Sequence, residues 1–443
     1  MKRNLHSEKN LSGSVLIVVL IVCLALVSLT VVLAHTMMMA YRGSDNDLAG
    51  RQAEMAEEAG AQYAESVMAN VPEPGQMPDP TTYMCEASPV GEANFWFIGE
   101  PDPTDTSNTV TFGLVDEASK LNLNTATAAM LENLPGMTTD LATAIVAWRT
   151  SGTSSSTGGS STSSSNGSMA NVKGAPFESV EELAQVDGGI PMETLYGNDM
   201  NLNHVFDPNE AATGATTYSP GLLEYVTVYS RISNTTTSGS SRINVTTTSG
   251  SLTSLVTGIF GSNRGGQINT TLQGAGAVNS VLEFYLKSGM TADEFGQISP
   301  YLTATNAAYS VGLINVNTAS ATVLECVPGI TQSIASQIVS TRSNQTETSG
   351  TTPPNLAWVA PLLTGSAAAQ AGPYLTAETY QVSADVAAVG RHGRGYRRTL
   401  YVIDGSNGST STPQIVYRRD LTSLGWALGS AERQALAKQD VSP

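Results

Sequence analysis

An uncharged run near the N-terminus constrains the fold of this chain more than any other feature. Residues 14–34 form 21 consecutive positions without a charge, most of them Val, Leu or Ile. A helix rises about 1.5 Å per residue, so this run spans the roughly 30 Å hydrocarbon core of a bilayer. Lys2, Arg3 and Lys9 precede the run, and basic flanks stay on the cytoplasmic side. The pattern predicts one membrane-spanning helix, with everything after His35 on the far side of the membrane.

The N-terminal run is open to three interpretations. A secretory signal peptide would be cleaved after Ala34, although its apolar core normally runs about 7–15 residues. A plain membrane anchor would be retained whole. A leader of the prepilin type is a short basic peptide that ends in Gly directly before the apolar helix, and Gly13 followed by Ser14 fits it. Cleavage there makes residues 1–13 a leader and places Val18 at the fifth mature position, where prepilins usually carry Glu.

The helical pattern continues beyond the membrane. Residues 37–71 are mostly Met, Ala, Glu, Gln and Leu, contain no Pro, and mix acidic with small and apolar side chains. This pattern is typical of an amphipathic helix, and Pro72 and Pro74 end it. We therefore predict one transmembrane and stalk helix over residues 14–71.

Strand and helix patterns in the remainder predict an α+β fold. Residues 72–117 hold the first part of an antiparallel sheet, and residues 376–443 hold its C-terminal strands and a tail. Between them, residues 118–375 form a large inserted α-domain with loops rich in Ser, Thr and Gly. The clearest strand patterns cover residues 95–98, 109–115, 380–389, 397–403 and 414–419, a short helix is predicted at 177–186, and the loops cover 150–171 and 233–267.

An internal repeat marks the inserted domain. Lys120-Leu-Asn-Leu-Asn-Thr-Ala-Thr and Leu313-Ile-Asn-Val-Asn-Thr-Ala-Ser each precede a short helix, a Pro-Gly-apolar turn and a second helix that ends in Arg. This order is a helix-hairpin-helix signature, with hairpins near residues 120–149 and 313–342.

Each predicted hairpin has an N-cap, a turn glycine and a small apolar core. Thr125 and Thr318 are predicted to be N-cap or near-cap residues, and the turn residues are Gly136 and Gly329. The predicted core residues are Leu131, Leu134, Ile145 and Val146 in the first copy and Leu324, Val327, Ile338 and Val339 in the second.

The hairpins raise the question of DNA binding. Helix-hairpin-helix units often hold a phosphate with a Pro-Gly-Ile-Gly turn and a following basic residue. Both turns here lack the second glycine and the Lys, and Asp140 adds a negative charge. The chain carries −17 overall, and because its first 13 residues carry +2, the remainder carries −19. A body this acidic repels phosphate, so we expect structural hairpins and no nucleic-acid partner.

One polar stretch matches the ligand spacing of an EF-hand calcium loop, with oxygen ligands at positions 1, 3, 5, 7, 9 and 12. The predicted side-chain ligands are Asp199, Asn201, Asn203, Asp207 and Glu210, and Val205 offers its carbonyl. His204 stands at position 6, where φ is positive and Gly is usual. The flanking helix pair is not evident, so we predict a single loop. The competing interpretation is an Asn-rich surface loop with chance spacing.

The remaining motifs do not indicate an enzyme. No nucleophile–base spacing, P-loop or dinucleotide fingerprint appears, and the four histidines lack spaced partners for zinc or haem. Four arginines between 391 and 398 either bind an anion or form a charged β-turn between two strands, and we expect the turn. Cys85 and Cys326 are either a disulfide or two buried free thiols.

Together these features resemble the minor pseudopilin K family of type II secretion (general secretion pathway protein K). The resemblance rests on the leader ending in Gly13, the helix with Val18 at mature position 5, the segment Val115-Asp-Glu-Ala-Ser-Lys-Leu-Asn-Leu-Asn and the segment Phe177-Glu-Ser-Val-Glu-Glu-Leu. It implies a pilin-like helix and sheet with an α-domain inserted in the sheet. It also implies calcium, cleavage by prepilin peptidase, and residence in the inner membrane with the bulk in the periplasm.

The family resemblance further implies a role. Such a protein sits with other minor pseudopilins at the tip of the pseudopilus, where its bulky insert caps the fibre and helps to initiate its assembly. The missing Glu fits a cap, because that side chain usually pairs with the N-terminal amine of a neighbouring subunit. Two alternatives remain: a membrane-anchored DNA-uptake protein that uses its hairpins, and a secreted calcium-binding adhesin.

Overall fold

The computed structural model describes residues 12–101, 107–150, 172–208, 210, 217–247, 249–342, 354–406 and 412–439. Its architecture is α+β, with a long N-terminal helix, an antiparallel sheet and helix-hairpin-helix units, as the sequence predicts. The predicted leader, except for its last two residues, and nearly all of the predicted loop at 150–171 lie outside the described residues.

The helices and strands are numbered along the chain. The helices are α1 Ser12–Ala69, α2 Ala128–Leu131, α3 Thr139–Arg149, α4 Met192–Tyr196, α5 Leu222–Tyr225, α6 Gly250–Gly274, α7 Val281–Ser288, α8 Ala292–Ile298, α9 Ala321–Glu325, α10 Gln332–Arg342, α11 Ser366–Ala371 and α12 Gly429–Gln439. The strands are β1 Ser88–Val90, β2 Ala93–Gly99, β3 Thr111–Phe112, β4 Val115–Asp116, β5 Leu121–Asn122, β6 Val226–Thr227, β7 Arg231–Ser233, β8 Ile243–Asn244, β9 Leu302–Thr303, β10 Tyr309–Val311, β11 Ile314–Asn315, β12 Leu375–Thr376, β13 Gln381–Gly390, β14 Arg394–Asp404 and β15 Gln414–Asp420.

Helix α1 is continuous over 58 residues and contains both Gly13 and Ser14. Among the described residues it alone is long and apolar enough to cross a membrane. Residues 15–44 of α1 are exposed, and its first contact with the folded body is Asp45, which pairs with Arg391 and Arg394. At about 1.5 Å per residue, roughly 15 Å of exposed helix separates Ala34 from Asp45.

The C-terminal half of α1 packs on the main sheet. Small residues at helical spacing line the packed face: Ala49, Ala53, Ala56, Gly60, Ala61 and Ala64. A Cβ on Gly60 would lie 2.7 Å from Val386 Cγ1, so the backbones approach too closely for a larger residue. Glu57 is buried on this face, where its carboxylate accepts hydrogen bonds from the Tyr401 hydroxyl at 2.6 Å and Arg418 at 3.2 Å.

The main sheet runs in the order β1-β2-β13-β14-β15 with all pairs antiparallel, and β3 and β4 extend it beside β2 and β13. Strand β13 runs antiparallel to α1. Its last residue, Gly390, packs against Ala49 of α1. Gly405, which follows β14 and lies beside the start of β13, is near Met68 of α1. The chain leaves the sheet after β4 and re-enters at the start of β13. The insert therefore emerges from the end of the sheet that is farthest from the apolar half of α1.

The turn between β13 and β14 contacts α1 at the end of the sheet nearest the apolar half of that helix. Arg391 and Arg394 both pair with Asp45, the latter at 2.9 Å. The sequence expectation of a charged turn between two strands is met at this point, and its arginines bind a carboxylate of α1.

Over its described residues, the insert contains three tandem repeats rather than the two that the sequence indicates. Each repeat pairs two short parallel strands: β5 with β6, β8 with β9, and β11 with β12. One apolar core runs through all three repeats and includes every predicted hairpin core residue except Val146, which packs against its edge.

An asparagine organises each repeat in the same way. Its side-chain Oδ1 accepts the N–H two residues later at 2.8–2.9 Å, and its Nδ2 donates at 2.9–3.0 Å to a side chain three residues beyond the end of the second strand. Five residues after it, a Ser or Thr caps the following helix. The asparagines are Asn122, Asn244 and Asn315, their partners are Ser230, Asn306 and Thr379, and the caps are Thr127, Ser249 and Ser320.

The repeat narrows one prediction and corrects another. The helix caps are Thr127 and Ser320, so Thr125 and Thr318 are near-cap residues, which still lie in the turn that the asparagine organises. The stretch 233–267 is not a loop throughout, since α6 occupies its second half. Ser249 starts that helix, and Leu252, Val256 and Ile268 bury one side of it in the shared core, so tertiary packing overrides weak helix propensity.

The turn glycines are as predicted. Gly136 and Gly329 have φ values of 71° and 86°, and Gly261, with φ 77°, breaks α6 into a comparable pair of helices. The predicted helix at 177–186 is a 3-10 helix, Val180–Gly188. Cys85 and Cys326 are free thiols, because Cys326 is buried in the insert whereas Cys85 packs against the core between α1 and the sheet.

Candidate metal centre

The predicted calcium loop folds back at the boundary between the insert and the main sheet. Asp199, Asn201, Asn203 and Glu210 are each at most 5% exposed. Val205 is also buried, and Asp207 is half-buried. An Asn-rich surface loop with chance spacing would be solvated. The burial of so many polar side chains therefore needs a structural reason.

Four of the five predicted side-chain ligands accept backbone N–H groups of the loop itself, and the fifth, Asp207, accepts hydrogen bonds from the side-chain amides of Asn201 and Asn203. Asp199 accepts from Asn203 at 3.1 Å and from His204 at 2.8 Å. Asn201 accepts from Asn203, and Asn203 accepts from Val205, at 3.1 and 3.0 Å. Glu210 reaches back from position 12 and accepts from Met200 at 2.9 Å and from Asp207 at 2.9 Å. The loop is thus wrapped around its own carboxylate and amide oxygens.

The backbone at position 6 has the conformation that the calcium-loop pattern requires. His204 has φ 61° and Leu202 has φ 55°, both in the left-handed region where non-glycine residues are uncommon. Strain at these two residues persists only where the surrounding structure over-determines it. His204 Nδ1 lies 3.5 Å from a Glu224 carboxylate oxygen, an ion-pair distance without a hydrogen bond.

The charges of the loop fit a bound cation. Burial raises the pKa of Asp199, and burial also raises the pKa of Glu210. Both carboxylates are thus harder to ionise without a compensating positive charge, which a divalent cation supplies. Among the described residues no three His, Cys, Asp or Glu side chains converge as a metal group. The predicted ligand set accordingly includes amide and backbone oxygens beside its carboxylates, and oxygen ligands of this kind are the type that Ca²⁺ takes.

A buried arginine of the sheet holds the loop in place. Arg398 on β14 is 0% exposed, and its guanidinium donates to the carbonyl oxygens of Asn201 and Leu202, the latter at 2.7 Å. The same guanidinium forms a bidentate pair with Asp385 on β13 at 2.9 and 2.6 Å. The sequence does not indicate this role, since nothing in the local pattern separates Arg398 from its neighbouring arginines.

The hairpin turns differ in exposure. A Cβ on Gly329 would lie 2.9 Å from Gln370 Cβ, so α11 covers the turn of the third repeat. Gly136 is exposed, and the nearest atom to a Cβ there is Thr194 Cγ2 at 3.8 Å. The arginine that ends each hairpin points inward: Arg149 and Arg342 donate to the carbonyls of Ala126 and Ala319 at 2.5 Å. These two arginines therefore close the turn of their own repeat.

Comparison with known proteins identifies the hairpins. Residues 116–154 and 310–347 match the family model of the helix-hairpin-helix motif. The two segments cover less than a fifth of the 443 residues, so the match describes the first and third repeats and not the whole chain. No curated protein matches the chain.

Proposed function

We propose that this chain is a membrane-anchored, pilin-like subunit that caps the tip of a type II secretion pseudopilus, in the manner of the pseudopilin K proteins it resembles. One observation carries the proposal. A single helix begins as a membrane-length apolar run and then packs on a face of an antiparallel sheet. A large domain is inserted at the far end of that sheet.

The helix supports an assembly role. Its apolar half is exposed along its whole length, so it is available either to lipid or to the helices of neighbouring subunits. Position 5 after the proposed cleavage site is Val18, which offers no carboxylate to the N-terminal amine of another subunit. A subunit that lacks the carboxylate for pairing with the N-terminal amine of a subunit above it is suited to the top of a fibre.

The insert supports a capping role. It spans the three repeats between β4 and β13 and emerges beyond the residue-68 end of α1. A further subunit that stacked its helix above this end would meet the insert. The insert thus limits growth in one direction while α1 remains free to contact subunits below.

Calcium would join the insert to the pilin-like body. Asp199, Asn201, Asn203, Asp207 and Glu210 would hold the ion through side chains, and Val205 would hold it through its carbonyl. Arg398 would keep the loop on the sheet. Bound Ca²⁺ supplies the positive charge that the buried carboxylates lack.

Mass spectrometry of the mature N-terminus tests this function. The full chain is expressed in a host with prepilin peptidase and in one without it. We expect a mature chain that begins at Ser14 with a methylated amine, only where the peptidase is present. An intact Met1 in both hosts, or cleavage after Ala34, would refute the proposal.

DNA binding through the hairpins is the second candidate, and the helix-hairpin-helix match favours it. Against it stand the covered turn at Gly329 and the net charge of the body. DNA retention by the full chain in detergent micelles, measured at low and then raised salt, separates the candidates. Tight DNA binding that weakens as salt is raised would support DNA uptake, whereas the absence of DNA retention at low salt would exclude the DNA-uptake function.

A further inference from the structure

The C-terminal segment, residues 426–439, packs on the outer face of the main sheet. Three of its apolar side chains are buried against Trp96 and Ile98 of β2, on the face of the sheet opposite α1. They are Ala427, Leu428 and Leu436. The segment begins with a short turn in which Trp426 Nε1 donates to the Gly429 carbonyl at 2.7 Å, and α12 follows. No repeat or hairpin includes it, and the sequence patterns do not predict α12.

This segment touches the calcium loop through two backbone carbonyls. Asn201 Nδ2 donates to the Trp426 carbonyl at 3.1 Å. Asn203 Nδ2 donates to the Ala427 carbonyl at 3.3 Å. Both amide nitrogens also donate to Asp207 Oδ2, at 2.8 and 3.1 Å. The two asparagines are thus fixed by the loop on one side and by the C-terminal segment on the other.

The orientation of these amides decides whether they can bind calcium. An asparagine presents a carbonyl oxygen at one end of its amide and an NH₂ group at the other, and only the oxygen is a ligand. Because the carbonyls of 426 and 427 accept the NH₂ groups, Oδ1 of each amide faces the loop backbone, where it accepts one N–H. A carbonyl oxygen has two lone pairs, so the second remains for a cation.

We propose that the C-terminal segment is part of the calcium site, as the element that positions Asn201 and Asn203. The inference rests on the proposed calcium loop. Trp426 and Ala427 do not touch the ion; their carbonyls fix the ligand amides from behind, as outer partners do at metal sites. Docking of residues 426–439 and calcium binding therefore favour each other.

Thermodynamic linkage makes this coupling reciprocal. If docking of the segment strengthens calcium binding by some factor, calcium must stabilise the docked segment by the same factor. Outer partners of metal ligands typically contribute 10–100-fold in affinity, so we expect a coupling of about tenfold. An element that merely packs on the sheet would show no coupling in either direction: its loss would leave calcium affinity unchanged, and calcium would leave its docking unchanged.

The test measures both directions on the full chain in detergent micelles. Calcium affinity is titrated for the wild type, for a chain that ends at residue 424, and for Leu436→Ala, which loosens α12. Gln434→Ala, an exposed change on the same helix, is the matched control. Hydrogen exchange of residues 426–439 is then measured for the wild type with saturating calcium and with a chelator.

We expect the dissociation constant to rise about tenfold on truncation, to rise less for Leu436→Ala, and to stay unchanged for Gln434→Ala. Exchange of residues 426–439 is expected to slow by the same factor in calcium. If the wild type binds no calcium, the proposed calcium site itself is wrong. If the truncation and Leu436→Ala leave the calcium affinity unchanged, or if calcium leaves the exchange of residues 426–439 unaltered, the proposed coupling is wrong. The calcium site itself is not refuted by either result. If the variants fail to fold, the effect of calcium on hydrogen exchange in the wild type still shows whether calcium binding and docking of residues 426–439 are coupled.

Discussion

Arg398→Met should be among the most destabilising single changes in this protein. The substitution keeps the length and the apolar stem of the side chain but removes every donor of a guanidinium that is 0% exposed. It leaves the Asp385 carboxylate, which is only 13% exposed, without its bidentate partner. It also leaves the carbonyls of Asn201 and Leu202 without their donor.

The magnitude follows from these three losses. Removing one partner of a buried ion pair costs about 3–5 kcal/mol, because the other charge stays buried. Each orphaned buried carbonyl adds about 1–3 kcal/mol unless water reaches it. Since a folded protein is stable by only about 5–15 kcal/mol, Arg398→Met should bring the sheet–insert junction close to unfolding.

Urea unfolding of the full chain in detergent micelles, followed by tryptophan fluorescence, measures this loss. Asp385→Leu combined with Arg398→Met removes the uncompensated charge, and we expect the double variant to recover about 2 kcal/mol relative to the single one. Arg51→Met, at an exposed position of α1, serves as the control and should change stability by less than about 0.5 kcal/mol. The reasoning fails if Arg398→Met lies within about 1 kcal/mol of the wild type, or if the double variant is the less stable one.

Three further predictions follow from single residues. Burial raises the pKa of Asp116 to about 6, although four hydrogen bonds lower it. The folded state therefore holds its proton more tightly than the unfolded state, and stability should fall by up to about 3 kcal/mol as pH rises from about 4 to 6. Unfolding at pH 4, 5 and 6 should show this slope in the wild type relative to Asp116→Asn, and equal slopes would contradict it. Gly329→Ala should cost about 1–3 kcal/mol more than Gly136→Ala, because both turns need positive φ but only Gly329 is pressed against Gln370; equal melting temperatures would show that α11 does not cover that turn. Alkylation of the unfolded, non-reduced chain should label all three cysteines, since Cys85 and Cys326 lie in separate cores; a mass that reports one label only would demonstrate a disulfide.

Much of the fold was predictable from local patterns. An uncharged run of membrane length, a proline-free stalk and alternating strands each depend on the period of their own residues, so α1, β13, β14 and β15 lie close to where the sequence indicates. The first and third repeats were visible because Pro-Gly turns and Asn-Thr segments recur in both. The second repeat lacks the Pro-Gly turn, and its one sequence signal is Pro300-Tyr-Leu-Thr-Ala, which contains β9 and recurs as Pro373-Tyr-Leu-Thr-Ala around β12 of the third repeat.

The sequence by itself therefore determined the membrane-length helix, the strands, two hairpins and the ligand spacing of the loop from Asp199 to Glu210. These depend on neighbours within a turn or a strand, whose geometry is local. Tertiary structure alone decided that α6 is helical, that the two thiols lie apart, and that Arg398 holds the loop against the sheet. It also decided that the carbonyls of residues 426 and 427 meet Asn201 and Asn203 more than 220 residues away in the chain. Such contacts depend on which surfaces the whole chain buries together, and no local pattern records that.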